Sequence, residues 1–311
     1  MSRASFVSGV DAVDRWREDL LSGKPPVLYR VAESGPLANI ELGPGRIALF
    51  GGAPGAGKTA FVMQSVFDAL RLSPTLRAVV CNVEMNAGTL LDRQLSRLAG
   101  VPLDAIQSRQ IGTHYADRVD FGLGTLEELA ERVAFCRPPF DLANVAATAD
   151  AFAPLGGTGG LLLVLDYIQR IAPPGSIGDK RGSVDEAMSY LRQFADAGAA
   201  VVVVSSVGRQ RNKKGSSTYD ANELNLASFK ESGELEFGAD VAFILGPTEQ
   251  GVVLKHLKNR HGECRDIALR FEGRFQRFEA MANEQQGGGL SAGLRDLWNS
   301  TEPVRGESWE G

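Results

Sequence analysis

Apolar and polar positions along the 311 residues alternate between two kinds of segment. Short runs at 46–50, 77–81, 133–136, 159–166 and 200–204 are apolar at nearly every position, as strands buried on both faces must be. The longer proline-free stretches 59–70, 87–98, 141–152 and 184–197 read as helices, with further helical material through 126–130. An earlier helix over 9–22 places Val10, Val13, Trp16, Leu20 and Leu21 on one face and stops at Gly23-Lys-Pro-Pro. The last third (241–245, 252–256, 267–271 and 275–279) alternates apolar with polar residues and reads as β-rich. Strand–helix alternation followed by a β-meander predicts an α/β fold. Its mostly parallel central sheet has helices on both faces and a C-terminal antiparallel β extension. A linker helix and loop over 1–39 would precede one core at 40–281. The Gly-, Gln-, Glu- and Ser-rich tail 282–311 is expected to be flexible, apart from a helical turn near 294–298.

Charge and cysteine usage narrow the function. A net charge of −5 excludes a generally basic nucleic-acid coat, so any such contact must be local. Cys81, Cys136 and Cys264, odd in number and widely spaced, match neither a disulfide framework nor zinc-ligand spacing, and read as reduced, buried thiols. No apolar run is long enough to span a membrane, and Arg3, Asp11 and Asp14 leave no signal-peptide core. The expected location is cytoplasmic, with no membrane partner.

The chemistry is concentrated at Gly52-Ala53-Pro54-Gly55-Ala56-Gly57-Lys58-Thr59-Ala60, a complete G-x-x-x-x-G-K-[ST] loop between an apolar strand and a helix. Glycines let the backbone wrap a polyphosphate, and the helix N-terminus turns its N–H groups and positive dipole end toward it. Lys58 is expected to reach the β- and γ-phosphates, and the Thr59 hydroxyl to hold Mg²⁺. Asp166 ends the apolar run 161–165 and is the expected second Mg²⁺ ligand. Glu84 follows the second strand, where a general base could orient an attacking water. These residues imply a nucleoside triphosphate and Mg²⁺, the triphosphate being ATP by the resemblance that follows.

Several segments occur in a telling order: Cys81-Asn-Val-Glu-Met85, Leu163-Val-Leu-Asp-Tyr-Ile-Gln169, Val202-Val-Val-Ser-Ser-Val-Gly-Arg209, Phe229-Lys-Glu-Ser-Gly-Glu-Leu-Glu-Phe-Gly-Ala-Asp240 and Lys258-Asn-Arg-His-Gly262. With Phe271-Glu-Gly-Arg-Phe-Gln-Arg-Phe-Glu279 behind them, they resemble the successive motifs of the DnaB-type replicative helicases from about residue 40 to 280. The resemblance implies a RecA-like P-loop NTPase with Glu84 as water-activating base and Asp166 as metal carboxylate. Gln169 and Ser206 would couple the nucleotide to DNA. Lys258 and Arg260 would reach a neighbouring subunit's γ-phosphate, which requires a homo-oligomer, in this family a hexameric ring. In such a ring the loops carrying Lys180 and Arg181 (within 173–182), and Arg209, Arg211, Lys213 and Lys214 (within 208–217), would face single-stranded DNA in the bore.

The sequence also departs from the family pattern. About forty residues precede the core, fewer than the family's helical N-terminal domain needs, and the helix near Val10–Leu21 would then pack on the adjacent subunit. Ser206 stands where the family has Gln, and Lys230 where Arg is common. The leading expectation is an ATP-dependent DNA helicase or translocase. An ATP-gated oligomeric scaffold or loader without processive unwinding is the alternative, with recombinase-type strand exchange third. A replication partner would dock through the N-terminal helix or the C-terminal tail.

Overall fold

The computed structural model describes residues 7–153, 159–171, 173, 180–208, 210–211, 217–218, 221, 223–229, 233–249 and 251–281. Helix α1 (Gly9–Leu21) begins at Ser8, whose side chain accepts from Asp11 N, and none of its residues is buried. Tyr29, Val31, Ile40 and Leu42 then enter the core, ahead of β1 (Ile47–Gly52), α2 (Lys58–Leu72), β2 (Leu76–Asn82), α3 (Ala87–Ala99), α4 (Leu103–Gln107) and α5 (Ala116–Ala130). It continues through β3 (Val133–Phe135), α6 (Leu142–Phe152), β4 (Gly160–Asp166), α7 (Lys180–Asp196) and β5 (Ala200–Ser206). A small hairpin, β6 (Gln210–Arg211) with β7 (Ser217–Thr218), precedes α8 (Gly233–Gly238), and the chain then enters β8 (Val241–Thr248), β9 (Gly251–Asn259), β10 (Ile267–Glu272) and β11 (Arg277–Ala280).

Nine of these strands form one sheet in the order β11-β10-β9-β8-β1-β5-β4-β2-β3. The six from β8 to β3 run parallel, and β9, β10 and β11 continue antiparallel from β8. The expected mostly parallel sheet with an antiparallel C-terminal extension is therefore present. Strand alternation explains why the inner runs carry almost no polar residue. In β1, Ala48 and Phe50 face a layer made by α2, whereas Ile47 and Leu49 face a layer made by α6 and α7. Eleven consecutive residues of α2, Ala60 to Leu70, are buried, so this helix is covered on every side.

The structure differs from the sequence pattern where packing overrides local preference. Helix α5 starts at Ala116 rather than near 126. Its Gly122 discourages a helix locally, but a Cβ there would lie 2.9 Å from Leu95 Cδ1 and 3.2 Å from Ala99 Cβ. The glycine thus lets α5 approach α3 closely, and that contact outweighs an intrinsic penalty of about 1 kcal/mol. Helix α7 starts at Lys180, so the last residues of the expected 173–182 loop are helical. Phe275 lies in a 3₁₀ turn over Gly273–Phe275, and the final strand begins only at Arg277. Cys81 is buried as expected, but two cysteines depart from that expectation: Cys136 is half-buried and Cys264 is exposed.

Candidate active site

The loop after β1 turns into α2 at Gly57, whose φ of 85° is left-handed and whose added Cβ would lie 2.8 Å from Phe278 Cζ. No side chain caps the N-terminus of α2, which leaves its first N–H groups to be satisfied by another acceptor. Lys58 Nζ donates to the carbonyls of Gly52 and Ala53, each at 3.0 Å. Burial lowers the Lys58 pKa, and the negative charges of Asp166 and Glu84 oppose that shift.

Asp166 reaches this loop from β4, two strands away across β5. Its Oδ2 accepts from Thr59 Oγ1 at 2.6 Å and from Asn82 Nδ2 at 2.8 Å. Burial raises the Asp166 pKa, while the Thr59 hydrogen bond and the Lys58 charge pull it down. Asn82 faces Asp166 in the β2–β4 register. Its Oδ1 accepts from Glu84 N at 3.0 Å and Met85 N at 2.7 Å, so one side chain ties the carboxylate to the Glu84 loop. Asn82 is absent from the residues that the sequence singles out. A signal for it does exist, since a polar residue ends an apolar parallel strand there as Asp166 does. Arg93 of α3 also attracts Asp166, and its buried Nε has no hydrogen-bond partner among the described residues.

The donor set at the base of this site suits a hard cation. A carboxylate and a hydroxyl oxygen converge, and among the described residues no cluster of three or more His, Cys, Asp or Glu could form a cage of its own. Mg²⁺ characteristically takes one or two protein oxygens and completes its shell with phosphate and water. Thr59 and Asp166 fit that requirement.

Gln169 connects β4 to the end of β5. Its Nε2 donates to Ser205 Oγ at 2.7 Å and its Oε1 accepts from Ser206 N at 3.4 Å. The contact therefore uses the hydroxyl of Ser205, to which the sequence pattern gives no role, and only the main chain of Ser206.

Lys258 and Arg260 lie elsewhere. Arg260 N donates to Asp240 O and Asp240 N to Ile47 O, which sets Arg260 level with the start of β1. Lys58 follows the end of that strand, roughly 17 Å away at ~3.3 Å per residue. Lys258 Nζ donates to the carbonyls of Glu236 and Phe237, at 2.6 and 3.1 Å. Of the DNA-facing candidates, Arg209, Lys213 and Lys214 lie outside the described residues. Only the backbone of Lys180, Arg181 and Arg211 is described, Arg211 pairing with Ser217 in the small hairpin. Both loops follow the carboxyl ends of β4 and β5, the end of the sheet that also carries the loop leading to Lys58. Lys230 and the tail also lie outside the described residues, and no described helix is long and apolar enough to cross a membrane.

Known proteins share this architecture. One solved ATPase domain superposes with a TM-score of 0.72 at 15% identity, covering 89% of this chain and 100% of that one. A DnaB-like replicative helicase, solved in a study of its interactions with primase, superposes at 0.74 and 15% identity, over 89% of this chain and 68% of its own. In sequence, a probable plasmid replicative DNA helicase of Chlamydia trachomatis is 23% identical over 247 residues, 78% of this chain and 52% of the relative. The replicative DNA helicase DnaB of Haemophilus influenzae is 23% identical over 257 residues, 79% and 53%. The chain spans about half the length of these relatives. The model of the DnaB-like helicase C-terminal domain matches residues 41–280, through every strand of the nine-stranded sheet, and the chain belongs to that family.

Proposed function

We propose that this chain is an Mg²⁺-dependent ATPase that assembles into a ring, six-membered by family resemblance, hydrolyses ATP between subunits and moves on single-stranded DNA. The observation that carries the reading is the hydrogen-bonded line from Thr59 through Asp166 and Asn82 to the Glu84 loop, beside Lys58. Lys58 and the open N–H groups of α2 bind the β- and γ-phosphates. Thr59 and Asp166 hold Mg²⁺, which supplies charge neutralisation on the phosphate oxygens. Glu84 takes the proton of the attacking water. Lys258 and Arg260 stabilise the transition state from the adjacent subunit, a contribution of roughly 10³–10⁵ in rate for such arginines. The separation of Arg260 from Lys58 within one chain supports delivery in trans. Gln169 and Ser205 relay the nucleotide state to the loops that carry the basic residues. The exposed apolar face of α1 (Val10, Val13, Trp16, Leu20 and Leu21) supports packing of that helix on a neighbouring subunit. ATP turnover of an assembled sample, with and without single-stranded DNA at low salt, tests the reading. Unstimulated turnover counts against translocation.

A second reading is an ATP-gated scaffold or loader. It is favoured by the engagement of Lys258 and Arg260 with their own protomer, which must be released before either can serve a neighbour. It predicts nucleotide-dependent assembly with very slow turnover and no strand displacement.

A further inference from the structure

Cys81 and Cys136 stand 55 positions apart in sequence and opposite each other in the sheet. Val80 pairs with Phe135 in the parallel β2–β3 ladder, and Cys136 N donates to Val80 O at 2.9 Å, which carries the register one step further to Cys81 and Cys136. Facing residues on neighbouring strands are about 4.8 Å apart, within the ~4.4–6.8 Å between Cα atoms that a disulfide spans. Both side chains pack in the same apolar layer, Cys81 buried and Cys136 half-buried. β3 is a three-residue strand at the end of the sheet order, paired only with β2 among the described strands. Cys81 immediately precedes Asn82, the residue that joins Asp166 to the Glu84 loop.

We propose that Cys81 and Cys136 form a reversible disulfide under hydroperoxide oxidation, a modification site that reports directly on the catalytic loop. The Cys81 thiol donates a hydrogen bond to Cys136, which with the Thr148 hydroxyl, and against burial, lowers the Cys136 pKa below the ordinary thiol value. The same hydrogen bond, with burial, holds the proton on Cys81. Cys136, half-buried where Cys81 is buried, is the sulfur a peroxide can reach and is the nucleophile. Its thiolate attacks a peroxide oxygen, the S–O bond forms as the O–O bond breaks, and the departing hydroxide (or alkoxide) takes from solvent the proton the thiol gave up, leaving a sulfenic acid and one water (or alcohol). The Cys81 sulfur then attacks the Cys136 sulfur. The S–S bond forms, the S–O bond breaks, and the departing hydroxide takes the Cys81 proton as a second water. Two thiols are oxidised by two electrons in total, and one peroxide is reduced. Cys264, exposed on the β9–β10 connection, takes no part.

The test treats the reduced 311-residue chain with hydrogen peroxide, alkylates the remaining thiols and maps peptides by mass spectrometry without reductant. The expected result is one alkylated cysteine of the three, a Cys81–Cys136 linked peptide pair lighter by two hydrogens, and reversal by dithiothreitol. Cys264→Ser should leave the link intact and Cys136→Ser should abolish it. Over-oxidation of Cys136 without a link, or pairing through Cys264 between chains, would overturn the proposal. The effect on turnover rests on the ATPase reading. Turnover should be lost on oxidation and restored by dithiothreitol in wild type, and should be insensitive to both in Cys136→Ser. A linked protein with unchanged turnover overturns the coupling to the loop, whereas the mass readout decides the disulfide even if no hydrolysis is seen.

Discussion

Arg260 Nη1 donates to Asp240 Oδ1 at 2.9 Å, at the end of the sheet remote from Lys58. The Arg260 side chain is 47% exposed, whereas that of Asp240 is 5% exposed. Asp240 is therefore fixed in the core, and Arg260, which also donates to the Phe237 carbonyl at 2.6 Å, is held at the surface by its own chain. On the proposed reading, Arg260 leaves these partners to complete the site of a neighbouring subunit.

Arg260→Ala should keep nucleotide binding and lose hydrolysis. Mixing it with Glu84→Ala subunits should recover turnover, because some interfaces then pair an intact Glu84 with an intact Arg260. Steady-state turnover against mixing ratio measures this. Normal hydrolysis by Arg260→Ala alone would remove the shared-site model.

Lys58→Ala should abolish nucleotide affinity or turnover. Asn82→Ala should keep the fold, since the Asn82 side chain bonds one carboxylate and two loop N–H groups at the end of its strand. It should nonetheless reduce Mg²⁺ affinity or activity by roughly 10–100-fold, as loss of supporting partners of metal ligands does. Titrating turnover with Mg²⁺ separates the two variants.

Asp166→Asn should abolish turnover and raise the thermal stability of the nucleotide-free protein at neutral pH. Burial raises the folded-state pKa of Asp166 above its ordinary value of 3.8. Its favourable contribution is thus complete below that ordinary value and lost as pH rises through the raised one. The stability gap between variant and wild type should narrow as the pH is lowered, which melting curves across acidic and neutral buffers would reveal. A variant less stable than wild type at neutral pH would contradict the assignment.

Asp240 carries the opposite sign. Burial opposes its ionisation, but the Ile47 N–H, Arg192 and Arg260 together hold its pKa below the ordinary carboxylate value. Its contribution is present above that ordinary value and fades as pH falls through the lowered one. Asp240→Ala leaves the buried Ile47 N–H without its acceptor and should cost about 1–3 kcal/mol. Denaturant unfolding at neutral pH measures it.

Trp16→Asp on α1 should leave the monomer's stability within about 0.5 kcal/mol, because this exposed residue contributes nothing to the core. It should weaken assembly, read as a shift toward monomer in sedimentation with nucleotide present. Unchanged assembly would show that the apolar face serves another purpose.

Much of the architecture is legible in the chain. The runs containing Leu49, Val79, Val164 and Val202 can only be strands covered on both faces, and Gly57-Lys58-Thr59 can only follow such a strand into a helix. The placement of Asp166 at the end of a strand beside the Lys58 loop is visible because that position is local, whereas Glu84 stands out only through the family resemblance. The start of helix α5 is hidden from the pattern because its support comes from Leu95 and Ala99 across α3, not from its own residues.

Sequence alone determined the glycine-rich strand-to-helix loop, the strand-ending carboxylate and the helix layers on both faces of the sheet, since each follows from periodicity or from residue types a few positions apart. Only the folded chain decided that Asn82 bridges Asp166 to the Glu84 loop, that Ser205 rather than the Ser206 hydroxyl meets Gln169, that Cys81 faces Cys136, and that Arg260 stands far from Lys58. Those relations depend on which strands lie side by side and in what register. The crossovers and the packing of helices on the sheet set that register, and no local pattern encodes it.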